Sequence, residues 1–407
     1  MSKEPACGME GWLLGEVAAE GRGLGLGLAP RPWVAGIDGG GTRTRCWVAA
    51  LDGTLLGRGE SGPSNYMVVG AQAAAQALDA ALRAALAEAP ARARLSAEAG
   101  PLAEVPAAVC LGMAGADRPD DQRVLTEALA AWGWQRWPLL WVNDAAIVLA
   151  AGRTEGAVAA LIAGTGSIVY AQAESCPGSS HSAGSATVRV GGWGPILGDE
   201  GSGYDLGRRA LIAVLRAADG RGPQTLLTEK ILAELSLATP LALLPLVYQG
   251  GLDRPRIAAL SRIVVASAQA GDEVALELVQ SGAAALAELI VTALRRLGRL
   301  TDPGVKVVVS GGLFADGSPM WSWVRQALAG LAPQANITLI PLPVEPAVGA
   351  VLLALTHHFG GEATALCGDS ANSGPGLFAR LRQSYRVWAT HRDKFTGREV
   401  KESRDQE

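Results

Sequence analysis

Cysteine is scarce and scattered in this chain of 407 residues. Five cysteines occur, at positions Cys7, Cys46, Cys110, Cys176 and Cys367, and none forms a Cys-x-x-Cys pair. The sequence therefore predicts neither a structural zinc site nor a disulfide framework. This cysteine usage indicates a reducing cytoplasm as the compartment. The four histidines also lack the spacing of metal ligands.

An excess of basic residues is absent too. The 35 basic side chains face 39 acidic ones, for a net charge of -4, which argues against nucleic acid as a partner. The chain has no charge-free apolar run of about 18 residues, so we expect no membrane span. The N-terminal stretch also lacks the basic start and the apolar segment of a secretion signal. We interpret residues 1–32 as a flexible extension.

The phosphate-binding sequence Gly-x-x-x-x-Gly-Lys-Ser/Thr is missing, but another glycine-rich turn is present. An apolar run, Trp33–Ile37, ends at Asp38, and Gly39, Gly40, Gly41 and Thr42 follow before a second apolar run. This order predicts a β-hairpin with a glycine tip. Glycine turns let backbone N–H groups approach an anion, and a carboxylate at a strand end can hold Mg²⁺. Alone, the pattern also fits an ordinary hairpin turn.

A second copy of this pattern makes the functional interpretation the stronger one. Ala157–Ala163 is an apolar run, Gly164, Thr165, Gly166 and Ser167 form a turn, and Ile168–Gln172 returns as a strand. Two such units predict a duplicated fold with a phosphate turn on each side of one cleft. A nucleoside triphosphate would then be held from both sides.

Strand and helix patterns alternate through most of the remaining chain, which predicts an α/β fold. The segment 204–300 is almost wholly helical in pattern and predicts helical additions to the second unit. We divide the chain into a first domain, 33–152, a second domain, 153–358, and a polar tail, 359–407. We expect the residues after about 365 to be mostly disordered, or to form a loosely docked helix over Leu377–Trp388.

Six motifs in combination resemble the BadF/BadG/BcrA/BcrD ATPase family, and within it the N-acetylglucosamine kinases. Over residues 33–358 these are Asp38 to Thr44, Gly115-Ala116-Asp117, Asn143-Asp144-Ala145, Gly164 to Ser167, Gly191 to Gly194 with Gly198 to Ser202, and Ser310-Gly311-Gly312. The resemblance implies two RNase H-like domains of the actin-like ATPase type around an interdomain cleft.

The resemblance also implies a role for each matching residue. ATP would be held by Gly39, Gly40, Gly41, Thr42, Thr165, Gly166, Gly311 and Gly312. Mg²⁺ would be positioned by Asp38 and Asp144. The sugar would be bound by Asn65, Ser167, Gly192, Trp193, Gly194 and Asp199. Asp117 would accept the proton of the attacking hydroxyl.

The activity implied is phosphorylation of a hexosamine by ATP, with N-acetylglucosamine converted to its 6-phosphate. Glucosamine, N-acetylmuramic acid and glucose stay open as acceptors. An alternative from the same family is an ATP-driven activator of a CoA-ester dehydratase or reductase, which would need cysteines around an iron–sulfur cluster. Another is a sugar sensor without catalysis. The expected partner is a small sugar, with neither nucleic acid nor membrane, and a homodimer is left open.

Several of these residues also have plain structural interpretations. Asp117 would suit the N-cap of the helix that Pro119 opens, and Asp144 the cap of the next helix. Trp193 would suit a core position between glycines. Arg189 is interpreted most simply as a surface charge.

Overall fold

The computed structural model describes residues 30–93, 101–116, 118–153, 155–173, 187–360 and 376–396. Two five-stranded sheets organise this part of the chain. Each sheet begins with an antiparallel hairpin and ends with parallel strands, so the duplication predicted from the two glycine turns is confirmed. The predicted α/β architecture of two related domains is confirmed as well, and the helices lie around and between the sheets.

The first sheet contains β1 (Trp33–Gly39), β2 (Thr44–Ala50), β3 (Leu55–Ser61), β4 (Ala108–Met113) and β5 (Leu139–Asn143). Its strand order is β3-β2-β1-β4-β5. Strand β1 pairs antiparallel with β2 and parallel with β4, and β4 pairs parallel with β5. The carboxyl ends of β1, β4 and β5 therefore meet at one edge of the sheet. Asp38 lies opposite Gly112 there, and Met113 opposite Asn143.

The second sheet contains β6 (Ala157–Ala163), β7 (Ser167–Gln172), β8 (Thr187–Gly191), β9 (Val305–Ser310) and β10 (Ile337–Pro341). Its order, β10-β9-β6-β7-β8, repeats the arrangement of the first sheet. Strand β6 pairs antiparallel with β7 and parallel with β9. The second glycine turn, between β6 and β7, thus occupies the same place in its sheet as the first.

Strand β1 is apolar from Trp33 to Ile37, as expected for a strand that is covered on both faces. Trp33 and Ile37 join the core that helices α2 (Ala71–Ala93) and α3 (Pro119–Ala130) cover. Val34 points into a separate core on the opposite face. A short helix, α1 (Tyr66–Val69), connects β3 to α2.

Two helices lie between the sheets. Helix α4 (Asp144–Arg153) follows β5, and its Val148 and Leu149 pack against Ala160 of the second sheet. Helix α12 (Pro346–His358) follows β10 but packs on the first sheet, where its Val351 joins the core of Val34. The division of the chain at residue 152 places α12 in the second domain, whereas the side chains of α12 pack on the first sheet.

Helices fill the segment between β8 and β9, as the pattern of residues 204–300 predicts. They are α5 (Gly203–Ala218), α6 (Leu226–Glu234), α7 (Leu243–Tyr248), α8 (Arg254–Ala259), α9 (Ser261–Gln269) and α10 (Glu273–Arg296). Helix α11 (Met320–Leu331) connects β9 to β10. Among the described residues α10 alone has the length and hydropathy of a membrane span. Eleven of its residues, including Leu286 and Ile290, are buried, so it serves as a core helix.

The last described element is helix α13 (Leu377–Thr396), which is longer than the segment Leu377–Trp388 predicted from the sequence. It packs on the first sheet through Leu377, Leu381 and Trp388, all buried. The Trp388 ring lies edge-on to Trp47, with centroids 4.6 Å apart. The helix is therefore firmly docked over its first three turns, rather than loosely as expected. Residues 1–29, 361–375 and 397–407 of the predicted extension and tail lie outside the described residues.

Candidate active site

A cavity of about 500 Å³ opens between the two sheets. Asp38 and Arg43 of the first hairpin line one side of it, and Ser310, Gly311 and Gly312 line the other. The fold thus brings two of the motifs that were predicted to bind nucleotide to opposite walls of one cleft.

The first glycine turn is open to a ligand at its tip. Gly40 closes the turn by donating its N–H to the Arg43 carbonyl over 3.2 Å. Gly41, Thr42 and Arg43 are exposed. Exposed backbone N–H groups next to a cationic side chain form a surface suited to phosphate oxygens.

Asp38 and Asp144 lie close enough to affect each other electrostatically. Burial and then the charge of Asp144 raise the pKa of Asp38 to about 7. Asp144 occupies the first turn of α4, while Asn143 caps the helix by accepting the Ala145 N–H at 2.8 Å. The capping role considered for Asp144 therefore belongs to Asn143.

This pair of carboxylates suits a magnesium ion. When two carboxylates lie close together, the charge of one raises the pKa of the other, and a bound cation stabilises both in their charged form. Mg²⁺ is commonly held by one or two carboxylates together with water and substrate phosphates, rather than by a cage of protein ligands. The described part of the chain contains no cluster of three or more His, Cys, Asp or Glu side chains.

The second glycine turn contacts the loop after β9. Gly164 donates its N–H to the Gly166 carbonyl at 3.0 Å, and Thr165 is exposed at the tip. A Cβ on Gly311 would lie 2.2 Å from the Ala163 carbonyl oxygen, and φ of Gly311 is +115°. Only glycine permits this approach, so the predicted adenosine loop and the second phosphate turn form one continuous wall.

On the first sheet, the first glycine turn also contacts the predicted sugar loop. The Gly40 carbonyl accepts the N–H groups of Ser64 and Asn65 at 3.0 and 3.2 Å. A Cβ on Gly115 would lie 3.8 Å from Asn65 Oδ1. Asp117, the predicted base, lies two residues beyond Gly115 and outside the described residues.

Three predicted sugar residues meet on the second sheet. Gly192 donates its N–H to the Ser167 carbonyl at 2.9 Å, and Ser167 donates its own N–H to Asp199 Oδ1 at 3.2 Å. The Ser167 hydroxyl donates to the Glu200 carbonyl at 2.8 Å. The backbone of Asp199 has a φ of +60°, which non-glycine residues rarely adopt.

Trp193 is exposed, which excludes the core position considered for it. Its side chain lies beneath the Arg189 guanidinium, 5.3 Å from the ring centroid, and Arg189 donates to the Gly192 carbonyl at 2.6 Å. The interpretation of Arg189 as a mere surface charge is therefore wrong, because it holds the loop that presents Trp193. Gly194, beside it, has a φ of +87°.

One residue of this region escaped the sequence analysis. Arg254, the first residue of α8, forms an ion pair of 2.6 Å with Asp199. Burial raises the pKa of Asp199, against the opposing effects of the Ser167 N–H and the Arg254 charge. The two partners lie far apart in sequence, so no local pattern indicates their contact.

The chain is similar to known proteins over most of its length. The model of the BadF/BadG/BcrA/BcrD ATPase family matches residues 35–354. The chain is 32% identical to an N-acetylmuramic acid/N-acetylglucosamine kinase of Clostridium acetobutylicum, over 79% of this chain and 98% of the relative. It is 30% identical to an N-acetyl-D-glucosamine kinase of Dictyostelium discoideum, over 79% of this chain and 97% of that protein.

A solved structure from Chromobacterium violaceum, described as a candidate N-acetylglucosamine kinase, has a similar fold. It superposes with a TM-score of 0.59 at 26% identity, covering 80% of this chain and 99% of its own. The family match spans both glycine turns and both sheets, and two relatives at 30% identity or more align over nearly their whole length. The chain therefore belongs to the BadF/BadG/BcrA/BcrD ATPase family.

Proposed function

We propose that this protein is an ATP-dependent sugar kinase that phosphorylates N-acetylglucosamine on its 6-hydroxyl. The observation that carries the proposal is the common cleft of the two glycine turns. Asp38 and Gly311 line one cavity, and Gly311 packs directly on the turn at Gly164. Two relatives that the chain matches over nearly their full length are kinases of N-acetylglucosamine by name, which supports this acceptor.

The nucleotide would lie between the two turns. Gly39 to Thr42 would bind the β- and γ-phosphates from the first sheet, and Thr165 and Gly166 would bind them from the second. Gly311 and Gly312 would lie beside the adenosine. Asp38 and Asp144 would hold Mg²⁺, which supplies charge neutralisation on the phosphates. Membership in a family of ATPases supports ATP as the cofactor.

The acceptor would lie between Asn65 on the first sheet and the loops around Ser167 and Trp193 on the second. Asp117 would orient the attacking hydroxyl and accept its proton as the new O–P bond forms and the bond to ADP breaks. The approach of Gly115 to Asn65 supports this, because it brings the loop that leads to Asp117 next to a predicted sugar ligand.

N-acetylmuramic acid is a second candidate acceptor. The Clostridium relative carries both sugars in its name. The loop beyond Trp193 exposes Ile196 and Leu197, which are 90% and 80% accessible. This loop therefore presents two apolar side chains to solvent close in sequence to Trp193, a predicted sugar residue.

An iron–sulfur activator is disfavoured by the two cysteines that the structure describes. Cys46 and Cys110 are fully buried in β2 and β4, and burial raises the pKa of both thiols. A cluster needs thiolates that reach its iron atoms. Free thiols in the core also accord with the cytoplasm as the compartment that we propose.

A coupled ADP-release assay tests the function. The purified protein would receive ATP and Mg²⁺ with N-acetylglucosamine, N-acetylmuramic acid, glucosamine or glucose. We expect sugar-dependent ADP release that is fastest with N-acetylglucosamine. Failure of every sugar to stimulate ADP release would refute the kinase, and iron in a coloured preparation would favour the activator.

A further inference from the structure

We propose that Arg254 binds the phosphoryl group that is transferred, first as the γ-phosphate of ATP and then as the phosphate of the sugar product. This inference rests on the proposed function and adds to it a cationic ligand that comes from the helical additions. The first glycine turn is followed by Arg43, whereas the second turn, Gly164 to Ser167, contains no arginine, and Arg254 places a cationic side chain beside it.

The first observation is the distance between Arg254 and the second phosphate turn. A Cβ on Gly166 would lie 3.0 Å from an Nη atom of Arg254 and 2.9 Å from Asp199 Oδ1. The guanidinium therefore lies directly against the turn. A side chain at position 166 would occupy the space between the turn and Arg254, so glycine keeps that space open.

The second observation is how the guanidinium is held. Asp199 is 4% exposed and Arg254 is 42% exposed, and they are joined at 2.6 Å. Asp199 in turn accepts the Ser167 N–H, the first backbone donor after the turn. A buried carboxylate thus fixes one edge of the guanidinium while much of the side chain faces solvent. Arg254 can therefore bind a ligand through the part of its guanidinium that does not contact Asp199.

The base of Arg254 is also rigid. Asp253 caps α8 by accepting the Arg256 N–H at 2.9 Å. Helix α8 lies so close to α5 that a Cβ on Gly207 would be 2.0 Å from the Ile257 carbonyl oxygen. A preorganised arginine loses little freedom when it binds phosphate, and its planar group suits bidentate contact with phosphate oxygens.

The neighbours of Arg254 indicate which phosphate of the nucleotide it would contact. On one side lies the phosphate turn at Gly166, and on the other the sugar-side residues Ser167 and Asp199. The γ-phosphoryl group is the part of the nucleotide that must meet the sugar. A cation at this junction stabilises charge on that group, and Asp199 then acts as a positioning residue for Arg254 in addition to any contact with sugar.

Calorimetry with matched ligands tests the assignment. Binding of ADP, of a non-hydrolysable ATP analogue and of N-acetylglucosamine 6-phosphate would be measured for wild type, Arg254→Ala and Arg254→Lys. Arg262→Ala, an exposed arginine on α9, is the control. For Arg254→Ala we expect about tenfold or greater loss of affinity for the analogue and the sugar phosphate, with ADP affected less than threefold. Arg254→Lys should recover part of the loss, and free N-acetylglucosamine should bind unchanged.

Other outcomes would overturn the inference. Equal losses for ADP and the analogue would place Arg254 on another phosphate, and unchanged affinities for all three would give it a structural role. A wild-type protein that turns over no sugar refutes the proposed function instead, which is a separate result. Folding of each variant is checked by its thermal midpoint, and Arg254→Lys keeps the test valid if Arg254→Ala unfolds.

Discussion

Burial and the charge of Asp144 raise the pKa of Asp38 to about 7, although Asp38 lies near the end of β1 and Asp144 follows β5. Parallel pairing of β1, β4 and β5 causes this, because it gathers the ends of the three strands at one edge. The protein thus carries two carboxylates that repel each other at the place where we propose Mg²⁺ to bind.

The first prediction concerns pH and stability without ligand. Folding raises the pKa of Asp38 from 3.8 to about 7. The contribution of Asp38 to the stability of the folded protein is therefore fully present below about pH 4 and is lost as pH rises through 7. Asp38→Asn should therefore raise Tm by several degrees at pH 8 and by less at pH 5.5. Thermal unfolding at both pH values measures this. The exposed Asp316→Asn serves as control, and a pH-independent gain in Asp38→Asn would contradict the prediction.

The second prediction concerns the proposed base. Asp117→Asn should lower kcat by about 10²–10⁴-fold, because the hydroxyl loses its proton acceptor. Its Kd for N-acetylglucosamine, measured by calorimetry, should stay within about threefold, because asparagine keeps a similar shape. Asp120→Asn, at an exposed position on α3 paired with Arg123, should leave kcat unchanged. Turnover retained in Asp117→Asn would show that another group accepts the proton.

The third prediction concerns the exposed aromatic at the second wall. Trp193→Ala should raise KM for the sugar roughly 3–10-fold, in line with the loss of one aromatic contact, while kcat changes little. Trp193→Phe should restore most of the affinity. Tyr248→Ala removes an aromatic that is 83% exposed on α7 and should change neither constant. Steady-state kinetics with varied sugar decides, and an unchanged KM in Trp193→Ala would remove this residue from the site.

The fourth prediction concerns α13, which lies beyond the region that the family model matches. Trp388 is 7% exposed, packs on Trp47 and lies beneath the Arg58 guanidinium. Trp388→Ala should destabilise the protein by about 3 kcal/mol, the usual cost of removing a large buried aromatic. The adjacent Val387→Ala, 53% exposed, should cost less than about 0.5 kcal/mol. Urea unfolding distinguishes them, and equal midpoints would show that α13 is not docked in solution.

The sequence predicts those strands and helices whose pattern lies within one continuous segment. Apolar runs closed by glycine turns predicted the two hairpins, and β6 (Ala157–Ala163) begins and ends where its pattern does. Asp38, predicted to position Mg²⁺, and Gly311, predicted to bind ATP, line one cavity. Their roles in binding stay predictions.

The contacts that the sequence does not predict join segments that lie far apart in the chain. The ion pair of Arg254 with Asp199 joins an inserted helix to a loop. The docking of Trp388 on Trp47 likewise joins the two ends of the described chain. Such pairs have no periodic signature, because the fold alone brings their partners together.

The most direct test of the central claim is the phosphorus NMR spectrum of a reaction containing the protein, ATP, Mg²⁺ and N-acetylglucosamine. A phosphate ester on the 6-hydroxyl couples to the two protons of one carbon. We predict that this signal grows as the γ-phosphate signal declines and ADP appears, and only when sugar is present. A spectrum with only inorganic phosphate and ADP, whether or not sugar is added, would contradict the account.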